Sequence, residues 1–353
     1  MSPFEKRQYS GKQIIKAGDM LRDIDQLTPE QREWALGVLD NFRALHAMPL
    51  NSFQATLRQR IDRLGITNFI VAQRIKRKPT ILNKLHRFAD MQLKRMHDIG
   101  GIRVILPTLK KLEALKKLYL SSTSRIAHKL VRVDDYISTP KASGYRGIHL
   151  VFSYHTSHPD KQDYEGLRIE MQLRTQLQHV WATAVEIFEA FMGENFKSSK
   201  GSQEWLDFFA LAGSAFAHKE KQPVVPAHAG LSQEELLRQL KEKMDSLHVL
   251  EVMQGFTLTD TLSSKQKKED GHALLIFDAA EKVATVRQYT TSEYEEAYAA
   301  YIRAEEENRS RQNRQVVLVK MASIQQLEKA YPNYFANIRQ FRTLLQQMLK
   351  DYM

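Results

Sequence analysis

The sequence predicts an α/β (α+β) fold: a mixed β-sheet flanked by helices, preceded by a helical N-terminal segment and followed by a small C-terminal α/β module. Three observations predict it. Residues 65–195 switch repeatedly between a period of two and a period near 3.6, as strands interleaved with helices do. Residues 1–64 keep the helical period throughout. A proline-rich stretch, KQPVVPAHAG, precedes a second alternation that runs to the C-terminus.

The elements follow in order. Thr28-Pro29-Glu30-Gln31 reads as a capping box with Pro at the first helical position. Trp34, Val38, Phe42 and Leu45 then mark an apolar stripe, with Ala35 and Leu39 beside it. Ile102, Val104 and Ile105 form a short strand before Pro107, and Leu109 to Leu120 reads as a helix. Leu130 to Ile137 and Ile148 to Tyr154 read as strands. From Leu167 to Leu173 the alternation is strict, with Leu167, Ile169, Met171 and Leu173 on one face and Arg168, Glu170, Gln172 and Arg174 on the other. Residues 176–193 return to helical spacing. Residues 196–230 are expected as a helical and linker segment. Residues 231–353 are expected as a separate α/β module: a capping box at Ser232 to Glu235, strands at His272 to Phe277, Val283 to Tyr289 and Gln315 to Met321, an acidic helix over 292–308, and two terminal helical pieces. The KQKK run at 265–268 reads as a solvated loop.

Lys and Arg number 52 and Asp and Glu 41, for a net charge of +11, which suits partners that carry phosphates: nucleotides, RNA or DNA. The same balance also fits a basic protein that is merely soluble. With no cysteine, the chain has no disulfide, no thiolate zinc site and no cysteine nucleophile. The N-terminus is polar and no apolar run approaches the ~18 residues of a membrane span, so a cytoplasmic protein without membrane contact is expected.

Neither a G-x-x-x-x-G-K-[ST] loop nor a G-x-G-x-x-G turn occurs, so phosphates must be gripped mainly by side chains. Four clusters could do chemistry. Arg74, Lys76, Thr80 and Lys84 lie in a run of cations that could hold a polyphosphate, or be a solvated basic helix. Asp98-Ile-Gly-Gly-Ile-Arg103 runs into a strand; its carboxylate could meet Mg²⁺ or simply cap a turn. In the stretch from Asp135 to His149, Gly144 and Gly147 permit close backbone approach. Tyr145 there offers a stacking ring worth ~1–3 kcal/mol, with Lys141, Ser143, Arg146 and His149 around it. An ordinary surface loop reads the same way. Glu170, Gln172 and Arg174 form a polar row on one strand face, equally consistent with a structural ladder.

Order and spacing narrow the choice. R-x-K…T…K, then D-I-x-G-x-R, then D-Y-I…P-K-x-x-G-Y-x-x-x-H, then E-x-Q-x-R-T followed by His179, resembles the synthetase domain of the RelA/SpoT family over about residues 70–190. The stretches around Gly144 to Leu150 and His179 to Glu186 look most like its short, toxin-like branch without a hydrolase domain. The resemblance implies a nucleotidyltransferase-like sheet and transfer of the β,γ-pyrophosphate of ATP to a ribose hydroxyl, usually the 3′-OH of a guanine nucleotide. It implies Arg74, Lys76, Thr80, Lys84 and Arg103 on ATP. It puts Asp98 and Glu170 at the metal Mg²⁺ and the reacting groups. Lys141, Ser143, Tyr145, Arg146 and His149 fall on the acceptor, with Gln172, Arg174 and His179 in support. Ser143 stands where many family members have Asn, a departure on the acceptor side. The basic charge, the toxin-like wording and the extra module keep a second acceptor open, the 3′ end of tRNA. They also keep open an antitoxin or protein trigger acting on residues 231–353. A catalytically inactive nucleotide or RNA sensor is the third reading.

Overall fold

The computed structural model describes residues 4–121, 127–192, 203–247, 249–250, 253, 272–278, 283–310, 314–320 and 338–350. The chain divides into two compact units, Met1–Asp135 with Gly147–Thr175, and Tyr136–Arg146 with Gln176–Met353.

The first unit opens with α1 (Gly11–Met20), α2 (Pro29–Ala44) and α3 (Ala47–Arg63). The capping box expected at Thr28 is made: its side chain accepts from Gln31 N, and the Gln31 side chain accepts from Thr28 N. A second box at Ser10 and Gln13 starts α1. The sheet follows: β1 (Ile70–Ile75), β2 (Gly100–Leu106), β3 (Lys129–Asp135), β4 (Ile148–Ser153) and β5 (Arg168–Thr175). Its order is β1-β2-β5-β4-β3, with β2 and β5 parallel and the other pairs antiparallel. Helices α4 (Lys78–Arg87) and α5 (Leu109–Leu120) occupy the connections on either side of β2.

The two faces of this sheet differ. Ile102, Val104, Leu150, Phe152, Ile169, Met171 and Leu173 are all at most 1% exposed on one face. Phe152 lies 5.5 Å from Phe53 of α3 and 5.7 Å from Tyr119 of α5, so those two helices cover it. The opposite face carries the polar partners of the alternation: Arg74 beside Gly101, Gly101 beside Glu170, Arg103 beside Gln172, and His149 beside Gln172. Strand β1 has no counterpart among the expected elements; the cations from Arg74 onward read as a polyphosphate grip or a solvated basic helix. The helix starts only at Lys78, where Pro79 suits its first turn.

The second unit holds α6 (Gln176–Met192), α7 (Gln203–Lys219), α8 (Gln233–Ser246), an antiparallel sheet ordered β7-β6-β8, and helices Tyr294–Ser310 and Ile338–Lys350. Strands β6 (His272–Asp278), β7 (Val283–Tyr289) and β8 (Arg314–Lys320) fall on the three predicted segments. Ser232 accepts from Glu235 N as the predicted cap, but the Glu235 carboxylate turns to Arg238 and Gln239 instead of closing the box.

The domain boundaries differ from those expected. One core joins Trp181, Phe188, Phe208, Phe209 and Phe216 to Leu236, Leu240, Phe341 and Leu345. Residues 231–353 are therefore not a free-standing module, because α8 and the C-terminal helix bury their apolar faces on α6 and α7. The small sheet has a cluster of its own, Leu274 with Ala300 and Ala304. The run at 197–202, the KQKK loop, the turn at 279–282 and the first of the two expected terminal helices lie outside the described residues. Among the described residues no helix is long and apolar enough to cross a membrane.

Candidate active site

In the first unit the cations of the first cluster meet the carboxylate of the second. Lys76 follows β1 and its amide donates to Ile99 O at 2.8 Å, which pins the end of β1 to the approach of β2. Its Nζ donates to Asp98 Oδ2 at 2.7 Å, and Lys84 Nζ, from the last turn of α4, donates to Oδ1 at 3.0 Å. Burial opposes ionisation of Asp98, but the two ammonium groups prevail and hold its carboxyl at about 2. Burial also lowers Lys76, against the pull of Asp98. Arg74 and Thr80 are exposed nearby in sequence, Thr80 in a first turn of α4 that no side chain caps. Such a turn, with cations around it, suits an anion.

The second half of the arrangement is a relay along β5 and β4. His149 Nδ1 lies 3.0 Å from Glu170 Oε1. Gln172 Nε2 donates to Glu170 Oε2 at 2.7 Å, and Arg174 Nη2 reaches Gln172 Oε1 at 3.5 Å. Burial and the charge of Asp98 push Glu170 up; the His149 bond and charge, with the Gln172 amide, outweigh them and hold it below the ordinary carboxylate range. A carboxylate so acidic stores a proton poorly. It is suited to orient a hydroxyl or to ligate a cation. His149, expected as an acceptor contact, is thus also the partner of Glu170.

Asp98 and Glu170 are close enough for each to feel the other's charge. Between Arg74 and Glu170 the strand position is Gly101, and a Cβ built there would meet nothing nearer than Arg74 O at 3.9 Å. The open step beside two carboxylates fits Mg²⁺, which takes one or two carboxylates and completes its shell with substrate phosphates and water. Among the described residues no group of three or more His, Asp and Glu side chains is arranged as a complete metal cage.

The second unit holds the loop Tyr136–Arg146. Gly144 N donates to Lys141 O at 2.9 Å, closing a tight turn through Ser143, and Gly144 takes φ +89°. Lys141 Nζ stands 4.2 Å from the Tyr136 ring centroid and 5.3 Å from that of Tyr145. Tyr145 is half-buried, edge-on to Tyr136 and Trp181. Tyr136 was missed as a site residue; the D-Y-I wording contained it, but no spacing rule reports a lysine held between two rings.

One expectation changes, at Arg146, and the surroundings of Gly144 and His179 are now defined. Arg146 is 3% exposed and donates to Ile137 O and Pro223 O, so its guanidinium holds backbone rather than facing an acceptor. Burial lowers it to about 10. Gly144 serves a close approach to helix α7: an added Cβ would sit 2.8 Å from Phe209 O. His179 is 8% exposed within α6, in the interior of the second unit.

Residues 73–188 match the family model of the region found in RelA / SpoT proteins. Over that stretch the chain is similar to RelA / SpoT proteins. Two curated relatives from Bacillus subtilis (strain 168), GTP pyrophosphokinase YwaC and GTP pyrophosphokinase YjbM, are each 30% identical over 115 residues, which is 31% and 32% of this chain and 52% of either relative. The chain spans about half the length of these curated relatives. The crystal structure of small alarmone synthetase 1 from Bacillus subtilis is similar over 52% of this chain and 92% of that one, at 22% identity and a TM-score of 0.43. Every site residue read from the sequence, from Arg74 to His179, lies inside the RelA/SpoT region. Helix α7, on which Gly144 rests, lies beyond its end.

Proposed function

We propose that this protein is an ATP-dependent pyrophosphotransferase that moves the β,γ-pyrophosphate of ATP to the 3′-OH of a guanine nucleotide. The observation that carries this reading is the pairing of two ionised carboxylates with the donors that flank them. Lys76 and Lys84 bracket Asp98, and His149 and Gln172 hold Glu170 ionised. The names of the curated relatives, GTP pyrophosphokinases, support it.

The chemistry asks for positioning and charge neutralisation more than for covalent participation. The acceptor oxygen forms a bond to the β-phosphorus, the bond from that phosphorus to the α,β-bridging oxygen breaks, and AMP leaves with the electron pair. Arg74, Lys76, Lys84 and Arg103 neutralise and orient the triphosphate, with Thr80 at the start of α4. Glu170 orients the acceptor hydroxyl and draws on its proton, steadied by His149 and Gln172. Tyr145 takes the base and Lys141 faces the acceptor's phosphates, exchanging its contact with Tyr136. Mg²⁺ bound by Asp98 and Glu170 would neutralise charge on the phosphate oxygens. The C-terminal segment is read as regulatory, a place for a protein trigger.

The test is transfer from γ-labelled ATP with Mg²⁺, offering GDP, GTP and deacylated tRNA in parallel, with Glu170→Gln and Tyr145→Ala as controls. Label on GDP or GTP that both substitutions abolish is expected. The net charge of +11 favours a second reading, transfer to the 3′ end of tRNA, and label on tRNA alone would select it. Nucleotide binding without transfer to any acceptor would leave only a sensor.

A further inference from the structure

The acceptor loop is seated on an element that the RelA/SpoT region does not include. At Gly213, in the middle of α7, an added Cβ would sit 2.7 Å from Gly144 O and 2.8 Å from Gly144 Cα. From the other side, a Cβ on Gly144 would sit 2.8 Å from Phe209 O and 3.2 Å from Ala210 Cα. Backbone lies against backbone, so neither partner can swing away as a flexible side chain would. Two further bonds flank the crossing. Trp181 Nε1 donates to Phe209 O at 3.0 Å, and Arg146 donates to Pro223 O just after α7. A glycine in a helix interior costs about 1 kcal/mol relative to alanine. Gly213 therefore needs a compensating reason, and the close approach of Gly144 supplies one.

We propose that Gly213 of α7 is a positioning residue for acceptor specificity: by admitting Gly144 to within van der Waals contact, it sets where Tyr145 and Lys141 stand. It acts through the loop and touches no substrate. The inference rests on the reading that the loop Tyr136–Arg146 holds the acceptor. Because Gly213 and the loop belong to one unit and the Lys76–Asp98–Lys84 bridge to the other, the effect should fall on the acceptor and spare ATP.

The experiment uses the full chain. Equilibrium binding of GDP, of deacylated tRNA and of a non-hydrolysable ATP analogue is measured for wild type, Gly213→Ala, Trp181→Phe and Tyr145→Ala, with the KM for each substrate beside it. For Gly213→Ala we expect the Kd and KM of whichever acceptor binds wild type to rise about tenfold, well within the hundredfold that a displacement of ~1 Å can cost, and the ATP constants to change less than about twofold. Trp181→Phe keeps a ring but deletes the donor to Phe209 O, and should show the same one-sided loss in smaller measure; it decides the matter if Gly213→Ala does not fold. Acceptor and ATP constants that move together, or that stay unchanged in folded protein, overturn the inference. Tyr145→Ala separates the two failures. If it loses the acceptor while Gly213→Ala and Trp181→Phe keep it, only the role of Gly213 falls. If Tyr145→Ala keeps the acceptor, or if neither acceptor binds wild type, the reading of the loop falls and this inference with it.

Discussion

Within the candidate site, the charge state of Asp98 is set by its neighbours. Its carboxyl is brought from the ordinary 3.8 down to about 2 against the cost of burial. The sign follows from the depression: the stabilisation is fully present above pH ~4 and is lost as pH falls through about 2. A shift of that size corresponds to about 2 kcal/mol. We therefore expect Asp98→Asn to lower the unfolding free energy at pH 7 by roughly that amount, and wild type and variant to converge as pH falls from about 4 to about 2. Urea titrations at a series of pH values would show this. For Glu170, likewise depressed, protonation sets in only below the ordinary carboxylate range. The acidic limb of kcat/KM is then expected below pH ~4.5, leaving the profile flat on that side at neutrality. A limb between pH 6 and 7 would assign it to a different group. Glu170→Gln should lower kcat by about a hundredfold or more, as loss of a group that orients the reacting hydroxyl and helps hold the cation does.

At the scale of the element, β4 ties the site to the core. Phe152 faces Phe53 and Tyr119 on the covered side, while His149, three residues earlier, faces Glu170 on the open side. Truncating Phe152 to alanine removes the ring on which α3 and α5 meet and should cost about 3–5 kcal/mol of stability in denaturant titrations. These strand faces were legible in the sequence because period two separates Ile169 and Met171 from Glu170 and Gln172 without any knowledge of neighbours. Strand β1 was not legible. Its residues Gln73 and Arg74 interrupt the apolar run, and it becomes a strand because β2 offers it a ladder from Ile70–Ile105 to Ile75–Gly100. Tertiary pairing there overrides local pattern.

On the whole-molecule scale, the chain's two units divide the proposed work. The carboxylates and the triphosphate cations belong to one, the acceptor loop to the other. In the second unit α8 and the C-terminal helix share a core with α6 and α7, so truncation after residue 230 should do more than remove a regulator. It would strip Leu236, Leu240, Phe341 and Leu345 from Phe208 and Phe216, and the shortened protein is expected to aggregate or melt without a cooperative transition. Size-exclusion chromatography and a thermal melt would check this. A monomeric truncation with an unchanged transition would mean that α6 and α7 hold by themselves.

By itself the sequence determined what depends on local order: the alternation of β5, the Thr28 cap, the three strands of the second sheet, and the motif spacing that points to the RelA/SpoT region. Tertiary structure alone decided which charges neutralise one another and which backbones touch. Lys76 and Lys84 could have been solvated cations; they bind Asp98 because β1 and α4 bring them to the approach of β2. Arg146 could have faced a ligand; it is buried, and one of the carbonyls it holds, Pro223 O, lies 77 residues away in the chain. Gly144 and Gly213 lie 69 positions apart in the sequence, and no local rule joins them. Periodicity encodes a face and a period, whereas the partner across that face is chosen by packing.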